Sequence, residues 1–198
     1  GTFVLDRNGM VTARFFEDSY IERNTVAQVL VAVNRSGSVA GTRVSTSHLD
    51  VTAYPTDTAV APGNRFGLVL DITPRPGMHV YAPGATGYRV IAFTMAPQPF
   101  LHPQPLAYPE SEIYHFEPLD ERVPVYQKPF RLVQDVRLAG DLATQKQLRG
   151  RDAITISGTL EYQACDARLC FNPASVPLSW TLSLKPIVSG RPARRESQ

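Results

Sequence analysis

Period-two alternation of apolar and polar side chains governs the chain from His48 onward. Ile154, Ile156, Leu160, Tyr162 and Ala164 alternate with Thr155, Ser157, Thr159, Glu161 and Gln163. A second run answers the first: Val176, Leu178, Trp180, Leu182 and Leu184 alternate with Pro177, Ser179, Thr181 and Ser183. Successive side chains of a strand point to opposite faces, so each run turns an apolar row to a core and a polar row to water. Further strand-like runs lie at 49–54, 66–72, 79–81, 88–95, 123–126 and 130–138, with 153–164 and 176–184 completing the set. Gly- and Pro-containing turns separate them, and 141–148 reads as a short helical turn. Short strands at this spacing predict a mainly β chain, folded as a β-sandwich over 48–186.

Upstream the pattern differs. Residues 2–7 and 10–16 are strand-like runs around Asn8-Gly9, a type I′ hairpin signal. Ile21, Thr25 or Val26, Val29 and Val33 then recur at helical spacing, with Asp18 or Ser19 as the cap. Two strands and a helix cannot bury a core alone. This β-β-α piece, 1–33, resembles the C-terminal end of a thioredoxin-fold redoxin of the peroxiredoxin-like kind, in which a Gly-Thr-Phe-Val-Leu-Asp-Arg-x-Gly stretch follows the active-site proline. The resemblance implies a remnant of that domain, with the redoxin's own thiols upstream of Gly1. Its apolar faces, which include Phe3, Leu5, Phe15, Ile21 and Val29, make a dimer through 1–33 an expectation. Residues 34–47 (NRSGSVAGTRVSTS) are small and polar, a linker by composition.

Composition excludes several classes. The chain is 43% hydrophobic and 19% charged, which suits a folded domain, and its 17 prolines and 13 glycines suit many turns. Net charge is +2, and much of the basic excess sits at Arg191, Arg194 and Arg195 in a tail, 187–198, that reads as disordered. No nucleic-acid surface follows from that distribution. No apolar run of about 18 residues is present for a helical membrane span. A signal peptide is not recognised, yet the first residues do not look like a natural start, so export remains compatible. His48, His79, His102 and His115 lack ligand spacing, and neither a Gly-rich phosphate loop nor a Gly-x-Ser-x-Gly elbow occurs. Neither a metal nor a cofactor is expected.

Chemistry is concentrated in the only two cysteines, Cys165 and Cys170, four residues apart at the tip between the two alternating runs. Parity sets Cys165 off the core face and gives Cys170 core parity, although residues directly across a hairpin face the same way. A break near Asn172-Pro173 resolves the conflict, since proline cannot sustain a central ladder. The pair is therefore expected at an irregular end of the sandwich, more accessible than core residues. A bridge closing a loop of about six residues is worth only about 2 kcal/mol of chain entropy. Spacing alone leaves a structural staple, a redox pair and a metal site open, the last a poor one without a third ligand.

The stretch Tyr162-Gln163-Ala164-Cys165-Asp166-Ala167-Arg168-Leu169-Cys170-Phe171-Asn172-Pro173, followed by Val176-Pro177-Leu178, resembles the N-terminal periplasmic domain family of the disulfide reductase DsbD. The likeness extends from about Asn64 to Leu184; Pro76-Gly77-Met78-His79-Val80-Tyr81 and Val125-Tyr126 match it more loosely. That resemblance implies an immunoglobulin-like sandwich in the periplasm or otherwise exported, exchanging electrons with thioredoxin-fold partners. It implies that Cys170 forms the mixed disulfide and Cys165 resolves it. A cap loop within 113–122 would shield the pair, with Phe116 as the shield and Glu117 and Asp120 beside it. The chain departs from the pattern in spacing, with four residues between its cysteines where the family domain has five. Arg168 favours a thiolate and Asp166 opposes it. Without the resemblance, Phe116 reads as a core aromatic, Tyr81 and Tyr126 as packing, and Glu117, Asp120 and Glu121 as a solvated loop. The rival reading is a non-enzymatic β-sandwich interaction module with a structural disulfide.

Overall fold

The computed structural model describes residues 2–15, 23–24, 41–116 and 120–185. Strands β1 (Thr2–Leu5) and β2 (Val11–Phe15) pair as the expected hairpin, but the turn is not type I′. A type I′ turn needs positive φ at both central residues. Here Gly9 has it, at 79°, and Asn8 does not. The Asp6 carboxylate accepts from the Asn8 and Met10 amides at 2.8 and 2.9 Å, which supports a wider loop with a single left-handed glycine.

A second departure concerns the expected helix. Arg23–Asn24 forms a short strand, β3, parallel to the start of β7 (Asn64–Pro74). The ladder of β5 (Leu49–Pro55) along β7 stops at Leu68, so β3 takes the edge left open beyond it. The rest of that helix, residues 34–40 of the linker and the 187–198 tail lie outside the described residues. Within the expected linker, Thr42–Ser45 is a strand, β4, paired antiparallel to β5. Its side chains are mostly exposed, as edge-strand chemistry allows, and its polarity hid it.

The remaining elements follow in chain order: β6 (Ala59–Val60), β8 (His79–Tyr81), β9 (Ala92–Met95) and β10 (Leu101–Pro103). After them come β11 (Glu112–Phe116), β12 (Glu121–Tyr126), β13 (Phe130–Leu138), α1 (Leu142–Leu148), β14 (Ala153–Tyr162), β15 (Ala164–Cys165) and β16 (Ala174–Leu184). One sheet runs β10-β13-β7-β5-β4, a second β6-β16-β14-β9, and a third β11-β12-β8-β15. The alternation read from sequence is realised: Ile154, Ile156, Leu160, Tyr162, Val176, Leu178, Trp180 and Leu182 are all buried. They meet Leu49, Phe66, Leu68, Leu70, Ile72 and Leu132 of the first sheet in one core, the interior of an immunoglobulin-like β-sandwich. α1 is capped by Asp141, whose carboxylate accepts from the Thr144 amide at 2.9 Å, and its Leu148 closes the core.

The third sheet stands at one end of the sandwich and has two different faces. Val80, Tyr126 and Ala164 point into the main core. Their neighbours along each strand point the other way, and that second face carries the cysteines.

Candidate functional site

Register fixes which side chains share this face. Tyr81 lies opposite Val125, Tyr114 opposite Val123, Phe116 opposite Glu121, and Cys165 opposite His79. Residues directly opposite across a ladder project to the same side, as do residues two apart on one strand. His79, Tyr81, Tyr114, Phe116, Glu121, Val123 and Cys165 therefore converge, and with Tyr88 and Cys170 they line a cavity of about 150 Å³.

Cys165 and Cys170 are joined by a disulfide, with Cα atoms 4.1 Å apart. The two ends differ. Cys165 is buried, 1% exposed, and packs with Tyr81, Val123 and Val125, whereas Cys170 is exposed. The expectation that both cysteines are more accessible than core residues thus fails for Cys165. The cause is a change of sheet: β14 ends at Tyr162, and after Gln163 the chain enters the third sheet as β15. Ala164 then faces the main core and Cys165 the cavity, so both sides of this strand are covered. The β14–β16 ladder ends at Tyr162 opposite Ala174, so Pro173 falls just outside it, as its missing N–H requires.

The tip is a tight turn. The Asp166 amide donates to the Leu169 carbonyl at 2.9 Å, and the Asp166 carboxylate accepts from the Arg168 and Leu169 amides at 2.7 Å each. Those two amides hold the Asp166 carboxyl below its ordinary range. The carboxylate is thus committed to the turn. Below the tip, the Gln163 side chain donates to the Phe171 carbonyl at 3.1 Å and accepts from the Arg89 amide at 2.9 Å.

Against the buried sulfur stands Tyr81. Its hydroxyl is 3.0 Å from Cys165 Sγ and 3.4 Å from Cys170 Sγ. Disulfide sulfurs carry no proton, so the phenol donates to them. Burial, and then the neighbouring Tyr88, push the Tyr81 phenol well above its usual pKa, so it stays protonated. Tyr88 stacks on Tyr81 with ring centroids 4.0 Å apart and donates to Glu121 at 2.7 Å. That bond to a carboxylate is the first cause of a raised Tyr88 pKa. Tyr81 is therefore both packing and a direct contact of the bridge.

Of the expected cap residues, Phe116 is half-buried on the cavity face. Asp120 does not join it. The residue takes a left-handed φ of 47° at the hairpin tip, is exposed, and pairs with His115 at 2.7 Å. Glu121, one residue on, lines the cavity instead, together with Asp166 from the cysteine turn. Glu117 lies outside the described residues. Sequence reasoning missed Tyr88 and Tyr114 and gave His79 no role. Period-two spacing of Tyr114 with Phe116 carried a usable signal, whereas Tyr88 arrives on an irregular loop and left none.

The structure thus sets a disulfide with one buried and one exposed cysteine on an immunoglobulin-like sandwich, the class of β-domain to which the comparisons lead. Residues 50–177, more than half of the chain, match the family described as thiol:disulfide interchange protein DsbD, N-terminal, and the chain belongs to that family. Among solved structures it is similar to the N-terminal periplasmic domain of ScsB from Proteus mirabilis, at 14% identity and a TM-score of 0.46, covering 74% of this chain and 51% of that one. The chain thus spans about half the length of that relative. It is also similar to the reduced DsbD N-terminal domain of Neisseria meningitidis, at 15% identity and a TM-score of 0.39, covering 59% of this chain and 81% of that one. No curated protein is significantly similar to the chain.

Proposed function

We propose that this chain passes reducing equivalents between its Cys165–Cys170 pair and a thioredoxin-fold protein or domain. The observation that carries this reading is the asymmetry of the bridge: Cys170 is exposed while Cys165 is buried under Tyr81. Exchange requires a thiolate to approach one sulfur in line while the other leaves. A partner thiolate attacks Cys170 Sγ, the bond between the sulfurs breaks, and the electron pair goes to Cys165 Sγ. The Tyr81 hydroxyl is already in place to donate to that sulfur. In the opposite direction the Cys165 thiolate attacks the mixed disulfide and releases the partner's thiolate.

Phe116 serves as the shield. It stands on the β11–β12 hairpin beside the cavity, where it limits small thiols and yields to a docking surface. A disulfide of this kind persists in an oxidising compartment, which supports a periplasmic or otherwise exported setting. Among the described residues no helix is long and apolar enough to cross a membrane.

The test is a trap. Cys165→Ser leaves Cys170 able to form a mixed disulfide that cannot be resolved. Incubated with a thioredoxin-fold protein that keeps only its attacking cysteine, activated as a nitrobenzoate mixed disulfide, the variant accumulates a covalent one-to-one adduct as nitrobenzoate thiolate leaves, and dithiothreitol releases it. Failure to form it, with Cys170 still reactive to a small disulfide, favours the interaction module with a structural bridge.

A further inference from the structure

The buried cysteine creates a chemical problem that the exchange reading leaves open. A thiol in apolar surroundings has a raised pKa, and only the thiolate attacks a disulfide. Cys165 therefore needs a base within the cavity. Most candidates are engaged. Tyr81 donates to the sulfurs and Glu121 accepts from Tyr88. Asp166 accepts from two backbone amides, and Arg168 is a cation. Tyr114 packs its ring at 4.5 Å from the imidazole of His79.

His79 differs from all of these. It is 3% exposed, it is the cross-strand partner of Cys165, and its Nε2 is buried with no hydrogen-bond partner among the described residues. A buried polar nitrogen without a partner costs free energy and calls for an explanation. Directly opposed side chains have Cβ atoms about 5 Å apart, so one water is enough to carry a proton between imidazole and thiol.

We propose that His79 is the proton acceptor and donor for Cys165 during exchange, a role that rests on the exchange reading above. In closure, His79 takes the proton of the Cys165 thiol. The thiolate attacks Cys170 Sγ of the mixed disulfide, the Cys165–Cys170 bond forms, and the bond from Cys170 to the partner sulfur breaks. Its electron pair leaves on that sulfur, which then receives the proton from the imidazolium or from water. In opening, His79 first takes the proton that the incoming partner thiol loses, directly or through water, and as imidazolium hands it to Cys165 as that sulfur leaves. Burial keeps His79 neutral near pH 7, the state a base requires, although Asp166 pulls the other way.

The experiment uses the reduced protein and the aromatic disulfide DTNB. The first nitrobenzoate thiolate is released as the exposed Cys170 attacks, and the second as Cys165 closes the bridge within the chain. Only the second, concentration-independent release reads the proposed step. His79→Gln is expected to slow it about 100-fold at pH 7 while leaving the first within about two-fold, the size a positioned general base supplies. Its profile should then climb steadily with pH, as for an unassisted buried thiol. An unchanged second release, or equal slowing of both, overturns the proposal. Should His79→Gln fail to fold, the wild-type chain decides: its second release must break at the imidazole pKa read by NMR in the same protein, and a profile without that break overturns it. No protein partner takes part, so a failed mixed-disulfide trap and a failed His79 effect are separate results.

Discussion

At the scale of single residues, the site is a set of rings arranged around one bond. Tyr81 touches both sulfurs, Tyr88 stacks on Tyr81, and Phe116 stands on the hairpin across the cavity. If Phe116 shields the bridge, Phe116→Ala opens it. Stopped-flow reduction by dithiothreitol should quicken several-fold, with little loss of stability because the ring is only half-buried. An unchanged rate with a stability loss of about 3 kcal/mol, typical of a buried Phe→Ala cavity, would make it a core residue instead. His79 carries a pH signature of its own. Its pKa is lowered in the fold, chiefly by burial, so the unfolded chain binds more protons at any pH between that value and 6.5. Stability from this group is complete above about 6.5 and is lost as pH falls through the folded pKa. Urea midpoints at pH 5 and 7 should therefore differ more for the wild type than for His79→Phe.

At the scale of elements, two features position the cysteines: the long β14–β16 ladder and the change of sheet at Gln163. On its other edge β14 meets β9 so closely that one residue has to be glycine. A Cβ built on Gly158 would come within 2.5 Å of the Phe93 ring and 2.8 Å of the Thr94 carbonyl. Phe93 in turn lies edge-on to Trp180, with ring centroids 5.5 Å apart. Gly158→Ala is thus expected to cost about 1–3 kcal/mol by overpacking, measured by chemical denaturation. The strands that bury a row of large apolar side chains were legible in the sequence, and β8 and β13 fall on their expected bounds. β4, β6, β10 and β11 were not. They are short or polar, and pairing rather than periodicity makes them strands. Cys165 shows the same limit. Period-two parity holds only while a strand stays in one sheet, and no residue pattern announces that β15 belongs to another.

At the scale of the molecule, the sandwich carries the disulfide on a separate sheet, apart from the two that build the core. The β1–β2 hairpin presents Leu5, Met10 and Val11, each more than half exposed, and Phe3 beside them. We expect two chains to associate through that surface, so sedimentation of the full chain should show dimers that Leu5→Lys with Val11→Lys abolishes; monomers in both cases would remove the idea. The larger question is whether the bridge exists to hold the fold or to react. The core is built from two sheets that meet elsewhere, and a six-residue loop contributes only about 2 kcal/mol. A domain of ordinary stability, about 5–15 kcal/mol, survives that loss. The most direct measurement is the equilibrium of the Cys165–Cys170 pair in glutathione redox buffers, followed by thiol labelling together with circular dichroism. The account predicts a potential above about −300 mV and an unchanged β spectrum in the reduced protein. A bridge that only excess dithiothreitol opens, with the fold collapsing as it does so, would contradict it.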